Sequence, residues 1–297
     1  MAVLRRAAVL GHPVAHSLSP ILHTAAYDAL GLEGWEYTAI DTTVEDLPAL
    51  VRSLDLGWAG LSVTMPLKHA VMDLVDHVDP LAVAVGAVNT VLVGPAQCGV
   101  TLTGTNTDVY GLVTALREGF VAQGRGAGAS TESAVVLGGG ATAASTLAAL
   151  GELGCTTPRV LVRSLGRTAG LQEAAARMGV SPRFEVLDPS ASLGALRDAD
   201  VVVSTMPAYA ADPVAAAIAA HGAAPSGVLL DVVYDPRPTA LSTAWSDAGG
   251  TVVGGERMLL HQAVEQVRLM TGRTAPVAAM DIALGGSLHN SRNVPLV

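Results

Sequence analysis

Residues 134–154, AVVLGGGATAASTLAALGELG, leave this chain few folds to choose from. Ala134 to Leu137 are four apolar residues, enough for a buried strand. Three glycines then supply a turn, and an alanine-rich stretch supplies a helix. Gly138-Gly139-Gly140-Ala141-Thr142-Ala143 fits G-x-G-x-x-A, with alanine at the third small position. Gly138 permits the tight turn, Gly140 lets backbone approach a pyrophosphate, and Ala143 permits close helix–strand packing. The helix N-terminus offers N–H groups to the anion. Glycines alone can mark an ordinary turn. A strand before and a helix after favour the dinucleotide reading.

The surrounding sequence repeats the strand–helix rhythm. VLVRS, DADVVVSTMP and GVLLDVVY each read as a strand, so a Rossmann-type unit of parallel strands is expected over 113–255. QGRGAGASTES, residues 123–133, reads as a loop or linker. Upstream, AAVLG is a strand ending at Gly11, HPVAHSLSP is a loop, and Ser19-Pro20 opens a helix with Ser19 as N-cap. EYTAIDT and GLSVT read as strands, VEDLPALVRSL as a helix, and a further helix is expected to begin near Leu67. This opening predicts a second open α/β domain, 1–112 completed by 256–297, around a parallel sheet. GGSLHNSRNVPLV, at the end, reads as a mobile tail.

Half the residues are apolar but only 3% are aromatic, so the cores must be built from Ala, Val and Leu. A net charge of −9 speaks against nucleic acid or an anionic membrane as partner. Mean hydropathy is +0.45, yet no apolar run approaches the ~18–20 residues of a spanning helix. No signal peptide is expected, because His12, Pro13 and His16 interrupt the apolar residues after Arg5 and Arg6. Cys98 and Cys155 form neither a disulfide framework nor a metal motif. A soluble protein of the reduced cytoplasm is expected. His12, His16 and His23 lack the neighbours of a metal site and take no role, and no metal is expected.

An acidic residue after the second Rossmann strand would favour NAD through the ribose 2′-hydroxyl. Arg163 and Ser164 stand there instead, with Arg167 nearby, and guanidinium groups suit the 2′-phosphate of NADP. NADP is therefore expected over NAD. Ser17 and Ser19, on a loop entering a helix, could receive a carboxylate, although a plain N-cap explains Ser19 as well. Lys68 in GLSVTMPLK and Asp108 in GTNTDVYG are two charged residues in specific settings. Taken singly, the first reads as a surface lysine and the second as a helix N-cap. If the fold brings them together, they can move a proton at an alcohol or ketone.

Six blocks in order, GHPVAHSLSPILH, GLSVTMPLK, GAVNT, GTNTDVYG, DVVYDPRPTAL and GERMLLHQAVEQVRLMTG, resemble the signature segments of shikimate dehydrogenases. The resemblance runs from Gly11 to Gly272. It implies NADPH-dependent, reversible reduction of 3-dehydroshikimate to shikimate, with Lys68 and Asp108 catalytic. Ser17 and Ser19 would hold the carboxylate, and Thr64, Lys68, Asn89 and Asp108 the ring hydroxyls. Tyr234 and Gln262 would complete the substrate site. Gly138, Gly139, Gly140, Ala141, Thr142, Arg163, Ser164 and Arg167 would hold the dinucleotide, with Thr205, Met206, Val232, Gly255 and Met258 near the nicotinamide. Three positions depart from the family pattern. Thr24 and Ser62 replace the usual asparagines, and Arg163-Ser164-Leu165 replaces Asn-Arg-Thr. An NAD-linked catabolic quinate/shikimate dehydrogenase, an aminoshikimate-pathway enzyme and a non-catalytic shikimate-binding relative are the rival readings. The paired serines favour shikimate over quinate, and retention of Lys68 and Asp108 favours an enzyme. The sequence leaves the oligomeric state open, with room for a homodimer.

Overall fold

A computed structural model describes residues 5–222 and 225–290. The chain divides into two compact units, Met1–Thr107 with Gln262–Val297, and Asp108–His261.

The first unit begins with β1 (Arg5–Gly11), α1 (Ser19–Ala29), β2 (Trp35–Asp41), α2 (Leu47–Arg52) and β3 (Trp58–Val63). After a 3₁₀ turn at Ala70–Leu74 come β4 (His77–Val78), α3 (Pro80–Val85), β5 (Thr90–Pro95) and β6 (Val100–Thr105). The strand order is β2-β1-β3-β5-β6-β4. β1 pairs in parallel with β2 and β3, as the helical crossovers require. The expected parallel sheet is nevertheless mixed, because β5 runs antiparallel to both β3 and β6. A turn closed by Ala96 N to Gly99 O joins β5 and β6, too short for a parallel crossover. Leu10, Leu47, Leu61, Leu67, Val71 and Val91 are fully buried in one aliphatic cluster, so branched aliphatics do the work of scarce aromatics.

Two local expectations are corrected. Ser19 is the first helical residue, preceded by Leu18, and its side chain does not cap α1. No regular helix starts at Leu67. The Lys68 carbonyl accepts from Val88 N at 2.9 Å instead of a helical amide, and only the 3₁₀ turn follows.

The second unit opens with α4 (Asp108–Ala122), β7 (Ala134–Leu137), α5 (Ala141–Glu152), β8 (Arg159–Val162), α6 (Ala169–Met178) and β9 (Arg183–Val186). It continues through α7 (Leu193–Asp198), β10 (Val201–Ser204), α8 (Asp212–His221), β11 (Val228–Asp231), α9 (Ala240–Asp247) and β12 (Thr251–Gly254). The order β12-β11-β10-β7-β8-β9 is parallel throughout and reverses between β7 and β10. This is the doubly wound arrangement, whose ligand crevice lies beyond the carboxyl ends of the strands at the switch point. β7, β10 and β11 are buried along their whole length, as strands covered on both faces must be.

The last helices are α10 (Gly255–Thr271) and α11 (Val277–Asn290). Residues 285–290, expected in a tail, belong to α11, which packs on α1, and 291–297 lie outside the described residues. α10 belongs to the second unit as far as His261 and to the first from Gln262. Its first part is clamped to α4. Arg257 donates to Glu118 through Nε at 2.8 Å and Nη2 at 2.7 Å, and His261 Nε2 lies 2.7 Å from the same carboxylate. Burial pushes the Glu118 carboxyl up, but the Arg257 guanidinium and the His261 ring outweigh it and hold the group at about 2. A depressed carboxyl stabilises the fold above its unfolded value and loses that effect as pH falls. Glu118→Gln should therefore destabilise the protein by about 1 kcal/mol at neutral pH, a part-exposed pair being screened. In denaturant titrations, the gap from wild type should close between pH 4.5 and about 2.

Candidate active site

In the first unit, β1 and β3 end side by side, and Thr64 N donates to Leu10 O at 2.8 Å. A side chain at Gly11 would overlap the Thr64 methyl, so glycine there lets Thr64 lie against the end of β1. The serine loop is pinned to the end of β2. His12 Nδ1 lies 2.5 Å from Asp41, and Val14 N donates to the same carboxylate at 3.3 Å. Ser17 N then bonds Val14 O at 3.0 Å, and Ser17 Oγ accepts from Ser19 N at 3.3 Å. Ser17 is half-buried and Ser19 buried. His12, given no role from sequence, thus anchors the loop that carries both serines.

Asn89 is buried where three strands meet. Its carbonyl accepts from Val63 N at 2.7 Å, and its own N–H donates to Thr105 O at 3.1 Å. Its side-chain oxygen accepts from Thr107 N at 2.7 Å, while Nδ2 donates to Thr107 Oγ1 at 2.9 Å and to Gln262 Oε1 at 3.5 Å. Lys68, half-buried, is placed through its own carbonyl and through His69, whose Nδ1 donates to Gly86 O at 2.7 Å. Thr64, Lys68, Asn89 and Gln262 are thus gathered by the ends of β1 and β3 and the start of β5. Asp108, also buried, follows Thr107 directly and opens α4.

In the second unit, the glycine turn has the geometry an anion needs. Gly138 has φ +106°, and a Cβ there would fall 2.6 Å from Thr205 Oγ1. Thr205 is fixed by donating both its N–H, at 2.8 Å, and its hydroxyl, at 2.9 Å, to Leu137 O. Gly140 precedes α5 with open space where a side chain would stand, and the first amides of α5 have no partners within the helix. A pyrophosphate against Gly139, Gly140, Ala141 and Thr142 fits this cradle. Arg163 and Ser164, directly after β8, and Arg167, in the 3₁₀ turn Leu165–Arg167 that follows, are exposed. Arg159, by contrast, is committed to Glu185 through two bonds at 3.1 and 2.6 Å.

Val232 and Tyr234 lie on the loop after β11. Thr239 Oγ1 donates to Asp231 at 2.7 Å, which holds the loop, while burial pushes the Asp231 carboxyl and the Tyr234 phenol up. Met206 is packed in the aliphatic core with Leu137 and Val202, and Gly255 and Met258 are buried in the first turn of α10. Among the described residues, no cluster of three His, Cys, Asp or Glu side chains could hold a metal, and no helix is long and apolar enough to cross a membrane.

Residues 9–91 match the family model for the shikimate dehydrogenase substrate binding domain, and residues 255–283 that for the shikimate 5'-dehydrogenase C-terminal domain. A shikimate dehydrogenase (NADP(+)) of Rubrobacter xylanophilus is 40% identical over 282 residues, 94% of each chain. The chain belongs to the shikimate dehydrogenase family. The crystal structure of the Mycobacterium tuberculosis shikimate dehydrogenase matches with TM-score 0.81 and 41% identity, over 95% of this chain and 99% of that one. The Thermus thermophilus shikimate 5-dehydrogenase in complex with shikimate matches at 0.77 and 32%, over 96% and 100%.

Sequence reasoning missed Tyr37 and Gln266 and noted Ser62 only as a departure from the family pattern; the three are buried and hydrogen-bonded together. One signal was available, since Gln266 stands one helical turn after Gln262 and so shares its face. For the glycine turn, Gly138→Ala should cost about 1–3 kcal/mol, the range for a strained backbone position. Chemical denaturation would read that loss, and an unchanged midpoint would show that the turn relaxes freely.

Proposed function

We propose that this chain catalyses the reversible NADPH-dependent reduction of 3-dehydroshikimate to shikimate, a step of the shikimate pathway toward chorismate and the aromatic amino acids. The observation that carries this reading is the gathering of Lys68, Asn89, Thr64 and Gln262 by the strand ends of the first unit, in a chain matched to a family member over 94% of its length. The first unit binds substrate and the second binds the dinucleotide. NADP is the cofactor, and when bound as NADPH it supplies the hydride. Arg163 and Arg167 face its 2′-phosphate, with charges the anion can use. The reading places the enzyme in the cytoplasm, requires no metal and leaves room for a homodimer.

Negative charge develops on the carbonyl oxygen as hydride arrives, so a donor must already be aimed at it. Lys68 as ammonium supplies that donor and the proton, and as neutral amine it accepts the proton in oxidation. Asp108 serves to position rather than to transfer the proton, and bonds a ring hydroxyl. Ser17 and Ser19 bind the carboxylate, while Thr64, Asn89, Tyr234 and Gln262 orient the ring. Met206, Met258, Thr205, Val232 and Gly255 border the nicotinamide.

Lys68→Ala should lower kcat by about 10²–10⁴, the usual worth of a positioned acid–base group, with a far smaller change in KM. Steady-state rates with shikimate and quinate, each with NADP and NAD, test the whole assignment. Shikimate with NADP should give the highest kcat/KM. A preference for quinate with NAD would place the enzyme in the catabolic branch.

A further inference from the structure

Asn89 is 2% exposed, and the hydrogen bonds around it decide which edge of its amide can meet a ligand. Oδ1 accepts from Thr107 N at 2.7 Å, and a backbone N–H can only donate. The oxygen and the nitrogen of the amide are thereby told apart. Thr90 Oγ1 lies 2.9 Å from the same oxygen and donates to it. A carbonyl oxygen has two lone pairs, so these two donors occupy both. The amino edge, Nδ2, bonds Thr107 Oγ1 at 2.9 Å and reaches Gln262 Oε1 at 3.5 Å. Any ligand atom bonded by the Asn89 side chain therefore meets a donor.

Thr90 has a single proton to give, and Gln266 decides where it goes. One terminal atom of the buried Gln266 amide lies 3.4 Å from the Asn89 backbone carbonyl and 2.9 Å from Thr90 Oγ1. A backbone carbonyl can only accept, so that atom is Nε2, and Thr90 receives its hydrogen. The Thr90 proton is left with Asn89 Oδ1 at 2.9 Å or Thr107 Oγ1 at 3.3 Å, and the shorter bond is the one to Oδ1. The far end of Gln266 agrees. Its Oε1 accepts from Ser62 Oγ at 2.8 Å, and Ser62 accepts from the Tyr37 hydroxyl at 2.6 Å. His23 Nε2 lies 3.2 Å from the same Oε1, and burial holds that ring neutral by lowering its pKa to about 3. From Tyr37 on β2, through Ser62 on β3, Gln266 on α10 and Thr90 on β5, the donors all point toward Asn89 Oδ1.

We propose that Gln266 and Thr90 are positioning residues that lock the Asn89 amide as a donor toward substrate, and that this lock selects a ring hydroxyl over a ring ammonium. A hydroxyl oxygen has lone pairs to accept the Asn89 bond, whereas an ammonium has none. Hydrogen bonds aligned in one direction polarise one another, so the bonds arriving at Oδ1 strengthen donation from Nδ2. This assignment rests on the reading that Asn89 bonds a ring hydroxyl of shikimate. It gives a role to two buried side chains outside the substrate set, and it turns the site against an aminated substrate.

The test uses full-length enzyme carrying Thr90→Val, Thr90→Ser, Gln266→Met, Asn89→Ala or Asn89→Asp, each checked for folding by its thermal melt. Thr90→Val keeps the side-chain shape and removes the hydroxyl. It should raise the Kd and KM for shikimate by about 3- to 10-fold, the range of one lost hydrogen bond, with kcat and the KM for NADP changed less than about twofold. Thr90→Ser should behave as wild type, and Gln266→Met should shift shikimate affinity in the Thr90→Val direction by less. In an Asn89→Ala background the Thr90→Val effect should vanish, as expected of groups acting in series. Shikimate analogues with an amine in place of the C4 or the C5 hydroxyl test the selection. The one whose amine faces Asn89 should bind about tenfold or more weakly than shikimate, and Asn89→Asp, which puts an acceptor on that edge, should narrow the gap. Unchanged shikimate affinity in folded Thr90→Val overturns the proposal, as does a Thr90→Val effect that persists without Asn89. Two amines that bind as tightly as shikimate, or a gap that Asn89→Asp leaves as wide, overturn it too. If Asn89→Ala itself leaves shikimate affinity intact, the reading of Asn89 as a substrate residue fails instead, so the two failures are told apart.

Discussion

A buried amide must find a partner for every donor and acceptor, and Asn89 meets that demand by joining four elements. Its backbone closes the ends of β3 and β6, and its side chain holds Thr107 and reaches Gln262 on α10. Leaving any one of these groups unpaired would cost about 1–3 kcal/mol, so the neighbouring segments are held in register together. That is why a residue from a short connection between α3 and β5 can organise the end of the sheet. The positions of Lys68 and Gln262 follow, since the segments carrying them bond to Val88 and Asn89.

The parts of the fold legible in the sequence are those whose cause is local. The β7 strand, the glycine turn and α5 lie within 21 consecutive residues, and each reports its state through its own composition. The serine loop was legible for the same reason. The β5–β6 hairpin was not, because neighbouring crossovers suggested one parallel sheet while direction is decided by the short turn between them. Likewise, Ser19 looked like a cap because serine before proline is a common helix start. Here the helix includes the serine, and no side chain caps its first turn.

The candidate site divides in the same way. Lys68, Asn89 and Gln262 were found through a family pattern, and no spacing rule would have joined them. Tyr37, Ser62 and Gln266 come from β2, β3 and α10, with 204 positions separating Ser62 from Gln266. A tyrosine at a buried strand position usually signals packing, and one serine in an apolar strand signals little. Only their hydrogen bonds show that three unremarkable residues form a connected polar path. His23 is the reverse case: it was given no role from sequence, yet it is buried, kept neutral by desolvation, and bonded to Gln266.

Helix α10 carries two polar stripes with different partners. Arg257 and His261 are four residues apart and meet Glu118, while Gln262 and Gln266 are four apart and meet the Asn89 cluster. Each residue of an α-helix advances the azimuth by about 100°, so residues four apart within each stripe share a face. Adding or removing one residue between Gln262 and Gln266 would swing one of these glutamines off the Asn89 cluster however well the new residue suited a helix. Substitutions along α10 can be absorbed one side chain at a time, but a change in its length cannot. The helix therefore acts as an indexing shaft, and its residue count is under tighter constraint than most of its residue identities.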